Sequence, residues 1–187
     1  MKKEEFIEVL KNRKYLYEIQ GDKIIVTHDG DVDLENLKTL PPGVEFRNDG
    51  YVDLENLKTL PPGVEFRNGW NVYLDSLKTL PPGVEFMNDG SVYLWSLKTL
   101  PPGVDFKNGG YVNLENLKTL PPGVEFRNRG GVGLRSLKTI PPGVEFKNGG
   151  DVYLNELGWV RDIKGIMIEG VENKRLLHLM ISKGLFV

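Results

Sequence analysis

The sequence predicts a mainly β protein, a parallel β-solenoid of 20-residue coils with short α-helical caps at both ends. Three observations predict it. The phrase DVDLENLKTLPPGVEFRNDG at 31–50 recurs at 51–70, 71–90, 91–110, 111–130 and 131–150 with no insertion or deletion. A fixed period of this length means that each repeat stacks on its neighbours to bury a core it could not close alone. Within a repeat, Val32 and Leu34, then Val44 and Phe46, alternate with polar residues, the period-2 pattern of half-buried strands. Finally, Pro41-Pro42-Gly43 and Asn48-Asp49-Gly50 have the composition of corners, where fixed φ, missing donors and tolerance of positive φ bend the chain. Twenty residues hold three short strands and two or three corners, and an α-helical crossover in every repeat fits poorly. Strands of successive coils then pair in parallel about 4.8 Å apart, and six to eight coils make a rod on the order of 30–40 Å long.

Taken in order, residues 1–30 read as an N-terminal cap. Residues 3–13 form a short amphipathic helix with Phe6, Ile7, Val9 and Leu10 on its apolar side. Residues 14–28 are a degenerate first coil, with Ile24 and Val26 under Val44 and Phe46 and His28 under Asn48. The cap is needed because an open solenoid end exposes apolar rungs and sheet edges. Residues 31–157 are the solenoid of six full repeats plus a partial one, with Leu37 and Leu40 continuing the inward set. The column Asn48, Asn68, Asn88, Asn108, Asn128 and Asn148 is read as structural, satisfying open backbone groups at a corner and hydrogen-bonding amide to amide up the stack. Glu45 and Arg47, repeated as Glu65/Arg67 and Glu125/Arg127, neutralise each other across rungs. After Leu157 the pattern fades. Residues 158–187 read as the C-terminal cap, with a last strand at Gly165–Ile168 and a helix at Glu172–Lys183. All of this is one continuous domain.

The phrase Leu-x-x-Leu-Pro-Pro-Gly-Val-x-Phe-x-Asn, covering 31–150, resembles the short leucine-rich repeats of bacterial effector proteins and uncharacterised repeat proteins of bacteria and their phages. It departs from the leucine-rich pattern Leu-x-x-Leu-x-Leu-x-x-Asn, because Pro-Pro-Gly intervenes and the Asn follows Phe by two. A leucine-rich-repeat-like horseshoe is therefore the alternative architecture, and a straighter closed-coil solenoid the choice. The resemblance implies an effector or inhibitor that blocks a partner's surface, and transfers no activity.

Composition narrows the function classes. A formal net charge of -2 argues against nucleic acid as a partner. There are no cysteines, hence no disulfide framework or thiolate chemistry. Acids interrupt the N-terminal MKKEEFIEVL, which excludes a secretory signal, and no apolar run approaches the roughly 18 residues of a membrane span. A cytoplasmic protein without membrane attachment is expected.

Comparing the repeats with one another separates framework from free positions. The first, third and fifth positions vary: Asp31, Tyr51, Asn71, Ser91, Tyr111, Gly131, Asp151; Asp33, Asp53, Tyr73, Tyr93, Asn113, Gly133, Tyr153; Glu35, Glu55, Asp75, Trp95, Glu115, Arg135, Asn155. A constant scaffold with one variable face is how solenoids build extended binding surfaces. Aromatics concentrate there: Trp70, Tyr73, Tyr93 and Trp95, flanked by Tyr51 and Tyr111, with Trp70 replacing a glycine that every other repeat keeps. Such residues bury large area at low entropic cost and anchor interfaces, although stacking alone would also stiffen the sheet. Charge is polarised, with eight acids against three bases over 29–58 and two acids against five bases over 121–150.

Chemistry has less to stand on. Asp29, Asp31, Asp33 and Glu35 are weak candidates for a calcium site, since alternate carboxylates of a strand point the same way, but the glycine spacing and distal Glu of an EF-hand are missing. The Thr39 to Thr139 column lacks the Thr-x-Thr pairs of an ice-binding face. His28 and His178 lie in opposite caps, and no nucleophile–base arrangement or phosphate loop is present. The expected function is a non-enzymatic scaffold without cofactor, binding a protein partner through the aromatic strand face. A carbohydrate- or nucleotide-binding module and a self-assembling, homo-oligomeric rod are the alternatives.

Overall fold

The structure is a computed structural model that describes residues 1–154, apart from 139 and 142, and the strand Met167–Ile168. It is a mainly β, parallel β-solenoid of about six coils with a single short helix among the described residues. Two sheets run along it. One has nine described strands, beginning with β1 (Tyr17–Gln20), β2 (Lys23–Val26) and the strand of the first Val-Glu-Phe segment (Val44–Phe46), then Glu65–Phe66 and its equivalents up to Met167–Ile168. The other has seven, from Val32–Asp33 to Val152–Tyr153. Pairing is parallel with a register of one repeat, Val72 against Val52 and Val92, Phe86 against Phe66 and Phe106.

The inward columns make one continuous core. Each coil contributes the valine and leucine that open it, the two leucines that follow, and the valine and phenylalanine after the corner, all buried in the central coils. The phenylalanines stack face to face from Phe46 to Phe146 with centroids 5.3 to 5.5 Å apart. Leu37 of the first repeat is only partly buried, because the coil beneath it is incomplete, whereas Leu57, Leu77 and Leu97 are fully buried.

Three strands per coil were expected and two are found in each described coil. After each short strand a single turn is closed by Leu37 N–H donating to the Leu34 carbonyl at 2.9 Å and its equivalents, and the stretch from there to the prolines forms no strand. Adjacent prolines donate nothing, so a third ladder cannot propagate there. Only single links remain, such as the Thr99–Thr119 bridge and Lys118 N–H to the Lys98 carbonyl. The Pro-Pro-Gly corner behaves as predicted, with φ between 72° and 76° at each glycine from Gly43 to Gly143, the conformation a type II turn requires after proline.

At the N-terminal end, α1 (Lys3–Asn12) adds Phe6 and Leu10 to the core, with Ile7 and Val9 packed against it. Ile24 and Val26 pair under Val44 and Phe46, as the repeat register predicts, and the His28 carbonyl takes the place that Asn48 holds in the next coil. The preceding residues are not a coil. Gly21, at φ 60°, reverses the chain with Asp22, so that β1 returns antiparallel along β2. The seven-stranded sheet ends differently: the Tyr15 hydroxyl accepts a hydrogen bond from Asp33 N–H at 3.0 Å and donates to the Asp33 carbonyl at 3.2 Å. One phenol thus pairs an edge residue that would otherwise be open. Tyr15→Phe is expected to cost about 1 kcal/mol and to increase self-association, read by thermal melting and light scattering. An unchanged melting temperature would show that water serves this edge equally well. At the other end Met167–Ile168 pairs in parallel with Glu145–Phe146, as expected for a last strand, while the helix expected at 172–183 lies outside the described residues.

Candidate interaction face

The first, third and fifth positions line the outer side of the seven-stranded sheet, since the valine and leucine between them point into the core. Trp70 and Trp95 are exposed at 64% and 52%, whereas Tyr51, Tyr73, Tyr93 and Tyr111 are half-buried. Tyr73 and Tyr93 stack with centroids 5.0 Å apart and planes 15° apart, and Tyr51 meets Tyr73 edge-on at 5.9 Å. Asn71 donates to the Tyr73 hydroxyl at 2.9 Å, fixing that ring. By register Trp70 precedes this stack at the corner and Trp95 follows it in the chain.

Trp70 departs from the framework. At its position in other coils the chain passes so close to the coil below that a Cβ on Gly50 would stand 2.5 Å from the Gly30 carbonyl carbon, and one on Gly130 2.5 Å from that of Gly110. There the glycine N–H donates to the glycine carbonyl one coil back, at 3.0 Å for Gly50, 2.9 Å for Gly110, 3.2 Å for Gly130 and 3.1 Å for Gly150. Neither Trp70 nor Gly90 above it makes that bond. The tryptophan therefore opens the corner ladder on both of its sides while leaving its own indole in water.

The asparagine column holds the same corner. Asn48 Nδ2 donates to the carbonyls of Gly30 at 2.9 Å, Gly50 at 3.1 Å and Tyr51 at 3.0 Å, and Asn108 does the same with Gly90, Gly110 and Tyr111. The amide ladder expected up this column is absent. Each Nδ2 ties two successive corners through backbone carbonyls, and the Oδ1 atoms have no partner.

Tyr111 does not lie open. Its hydroxyl donates to Glu115 Oε1 at 2.9 Å, and the Arg135 guanidinium bonds the same carboxylate. Burial first, then the Glu115 hydrogen bond, push the phenol well above the usual tyrosine range. Arg135 lies 5.2 Å over the ring of Tyr153, which meets Tyr111 at 6.0 Å. Gly133 makes this possible, since a Cβ there would fall 1.9 Å from the Tyr111 hydroxyl. Comparison of repeats does not single out Glu115, Gly133 and Arg135. The signal was there, in a glycine standing where every other repeat keeps a side chain of the variable face.

No protein-family model, curated protein or solved structure matches the chain.

The acidic candidates are spent on local structure. Asp31 Oδ1 accepts Tyr51 N–H at 3.1 Å, and Asp33 Oδ1 accepts Glu35 N–H at 3.1 Å with Arg13 3.7 Å from its other oxygen. Among the described residues no three His, Cys, Asp or Glu side chains, Asp29 and Glu35 included, are grouped to hold a metal ion. His28 packs against Tyr15 at 4.8 Å, and His178 lies outside the described residues. No described helix is long and apolar enough to cross a membrane. A cleft of about 570 Å³ opens between Met1–Glu4, Asp22–Lys23 and the Pro41–Gly43 corner, and none of the predicted site residues lines it.

Proposed function

We propose that the chain is a non-enzymatic scaffold that binds a protein partner along the outer face of the seven-stranded sheet, centred on Trp70, Tyr73, Tyr93 and Trp95. Trp70 carries this reading. It breaks a corner ladder that the other coils keep and leaves a large apolar side chain 64% exposed, which lowers stability with no gain inside the fold. Sites that violate the local rules of an otherwise consistent framework are where function is placed. The stacked Tyr73 and Tyr93 beside it form a rigid aromatic surface with little side-chain entropy to lose on binding. A rod offering such a face acts by covering a surface of its partner, as an inhibitor or adaptor does.

The test is capture of partners by the wild type and by Trp70→Gly/Trp95→Ala. The variant is expected to lose the partner while melting at the wild-type temperature or above it, because glycine restores the corner bond. Capture retained by the variant would place the interaction elsewhere. A lower melting temperature would return the aromatics to a role in stiffening the sheet.

A further inference from the structure

Both sheets stack carboxylates in register, yet they treat them differently. On the nine-stranded sheet Glu45 is met by Arg47 at 2.6 Å and Arg67 at 3.2 Å, Glu65 by Lys23 at 2.5 Å, and Asp105 by Lys107 at 2.7 Å. Glu125 and Glu145 are paired with Arg127 and Lys147. Glu85 is the exception, in the one coil that carries Met87 in place of a cation. On the seven-stranded sheet Asp33 and Asp53 are direct cross-strand partners, and Glu35, Glu55 and Asp75 follow one another up the next column. Like charges so placed repel. Asp31, Glu35, Asp53, Glu55 and Asp75 nonetheless form no ion pair among the described residues. Burial, and then Glu55 and Asp53, hold the Asp75 carboxyl above its ordinary range against the pull of Trp95 N–H.

The same face shows, further along the rod, what answers such a carboxylate. Glu115, at the fifth position of its coil, is met by the guanidinium of Arg135 from the fifth position of the next, which lies over Tyr153 at the third position of the coil after. Moved back three coils, the same register reads Glu55, Asp75 and Tyr93: a carboxylate, a second carboxylate where the arginine stood, and a ring. The carboxylate is in place and the cation is not, while Tyr73 stands at the position of Gly133 and stacks on the ring of Tyr93 5.0 Å away.

We propose that the face of coils 51–110 receives an arginine-bearing segment of the protein partner, with its guanidinium held by Glu55 and Asp75 beside the Tyr73–Tyr93 stack and its flanking chain seated between Trp70 and Trp95. Arginine rather than lysine is specified, because a planar fork both bonds carboxylates and stacks on an aromatic ring. The second half of the face supplies its own arginine and is closed. This inference rests on the aromatic face being the interaction site.

The test titrates fluorescently labelled short peptides that alternate serine with arginine, with lysine or with glutamine against three proteins: wild type, Glu55→Gln/Asp75→Asn and Trp70→Gly/Trp95→Ala. The arginine peptide is expected to bind wild type at least about tenfold more tightly than the glutamine peptide, more tightly than the lysine peptide, and less well as salt is raised. Both variants are expected to lose about tenfold or more, with the carboxylate variant melting no lower than wild type. If all three peptides bind alike and only the tryptophan variant weakens them, the interaction face stands and the arginine inference is overturned. The inference also fails if the arginine peptide does not bind wild type. It fails likewise if wild type is a dimer that the carboxylate substitutions dissociate, since the counter-charge would then be a cation, such as Arg129, of a second copy.

Discussion

Phe86→Ala lowers the stability of the solenoid by about 4 kcal/mol. Phe86 is fully buried and stacked between Phe66, at 5.5 Å, and Phe106, at 5.3 Å, with planes within 8° of both. Truncation removes the transfer energy of a ring and leaves a cavity between two rings that the backbone register holds apart, so the site cannot collapse. The consequence extends beyond the residue. In a stack whose coils contact only their neighbours, a weakened interface at mid-rod uncouples the coils on either side of it. The unfolding transition is therefore expected to broaden or split. Chemical denaturation followed by circular dichroism and by amide exchange at Phe66 and Phe106 would read both effects. Phe86→Leu, which refills most of the volume, should recover more than half of the loss. A cost below about 1 kcal/mol, within the range of ordinary surface substitutions, would mean that the rings slide to close the gap.

Asn108→Asp is expected to be nearly as damaging, and in a pH-dependent way. Asn108 is fully buried, and its Nδ2 donates to the carbonyls of Gly90 at 3.0 Å, Gly110 at 3.1 Å and Tyr111 at 3.4 Å. A carboxylate there has no proton to give and faces three acceptors, which costs about 3 kcal/mol or more at neutral pH. Both desolvation and the surrounding carbonyls favour the protonated acid, so the folded-state pKa of the introduced group rises above its unfolded value of about 3.9. The folded state then holds the extra proton, and the variant loses stability as pH rises through and above that value. The melting difference between wild type and variant should be smallest near pH 3 and widen towards pH 7. A gap that stays constant with pH would show that lost amide bonds, not a buried charge, are responsible.

The two outcomes concern residues that differ in how readable they are. Phe86 belongs to a column whose apolar identity never changes, and its burial follows from alternation and repeat period alone. The burial of Asn108 was legible for the same reason, but its bonding was not. Stacking identical amides suggests a ladder, whereas the amide at each corner sits closer to carbonyls of its own and the preceding turn. That preference depends on where the backbone oxygens point, which only the closed coil sets. The third strand failed on a local rule that was on view: Pro41 and Pro42 remove two donors from every coil, and a ladder cannot bridge that gap. The hairpin at the N-terminus was missed because the repeat register was carried back past His28, over a Gly21-Asp22 pair that marks a reversal.

The interaction face divides in the same manner. That Trp70, Tyr73, Tyr93 and Trp95 share one side of the rod is an expectation from their positions in the repeat, and in the structure Tyr73 stacks on Tyr93 while Trp70 and Trp95 are exposed. What the repeats do not reveal is that Tyr111 is drawn into a closed network, because Gly133, two residues into the next coil, vacates the space its hydroxyl fills. Nor do they reveal that Asp31, Glu35, Asp53, Glu55 and Asp75 lack the cations that neutralise the other sheet. In-register stacking puts each side chain beside its copies twenty residues away. Whether a long Arg or Lys reaches back one coil to a carboxylate is decided by the side of the sheet on which it emerges.

The sequence by itself therefore determined the solenoid, its register, its core columns and the face that varies, because a strict period gives every residue its neighbours in advance. Only the tertiary structure decided how many strands each coil holds, how the first edge is closed and which charges are left without partners. Those outcomes depend on distances of a few ångströms between groups of adjacent coils, and such distances exist only once the coils have closed and stacked.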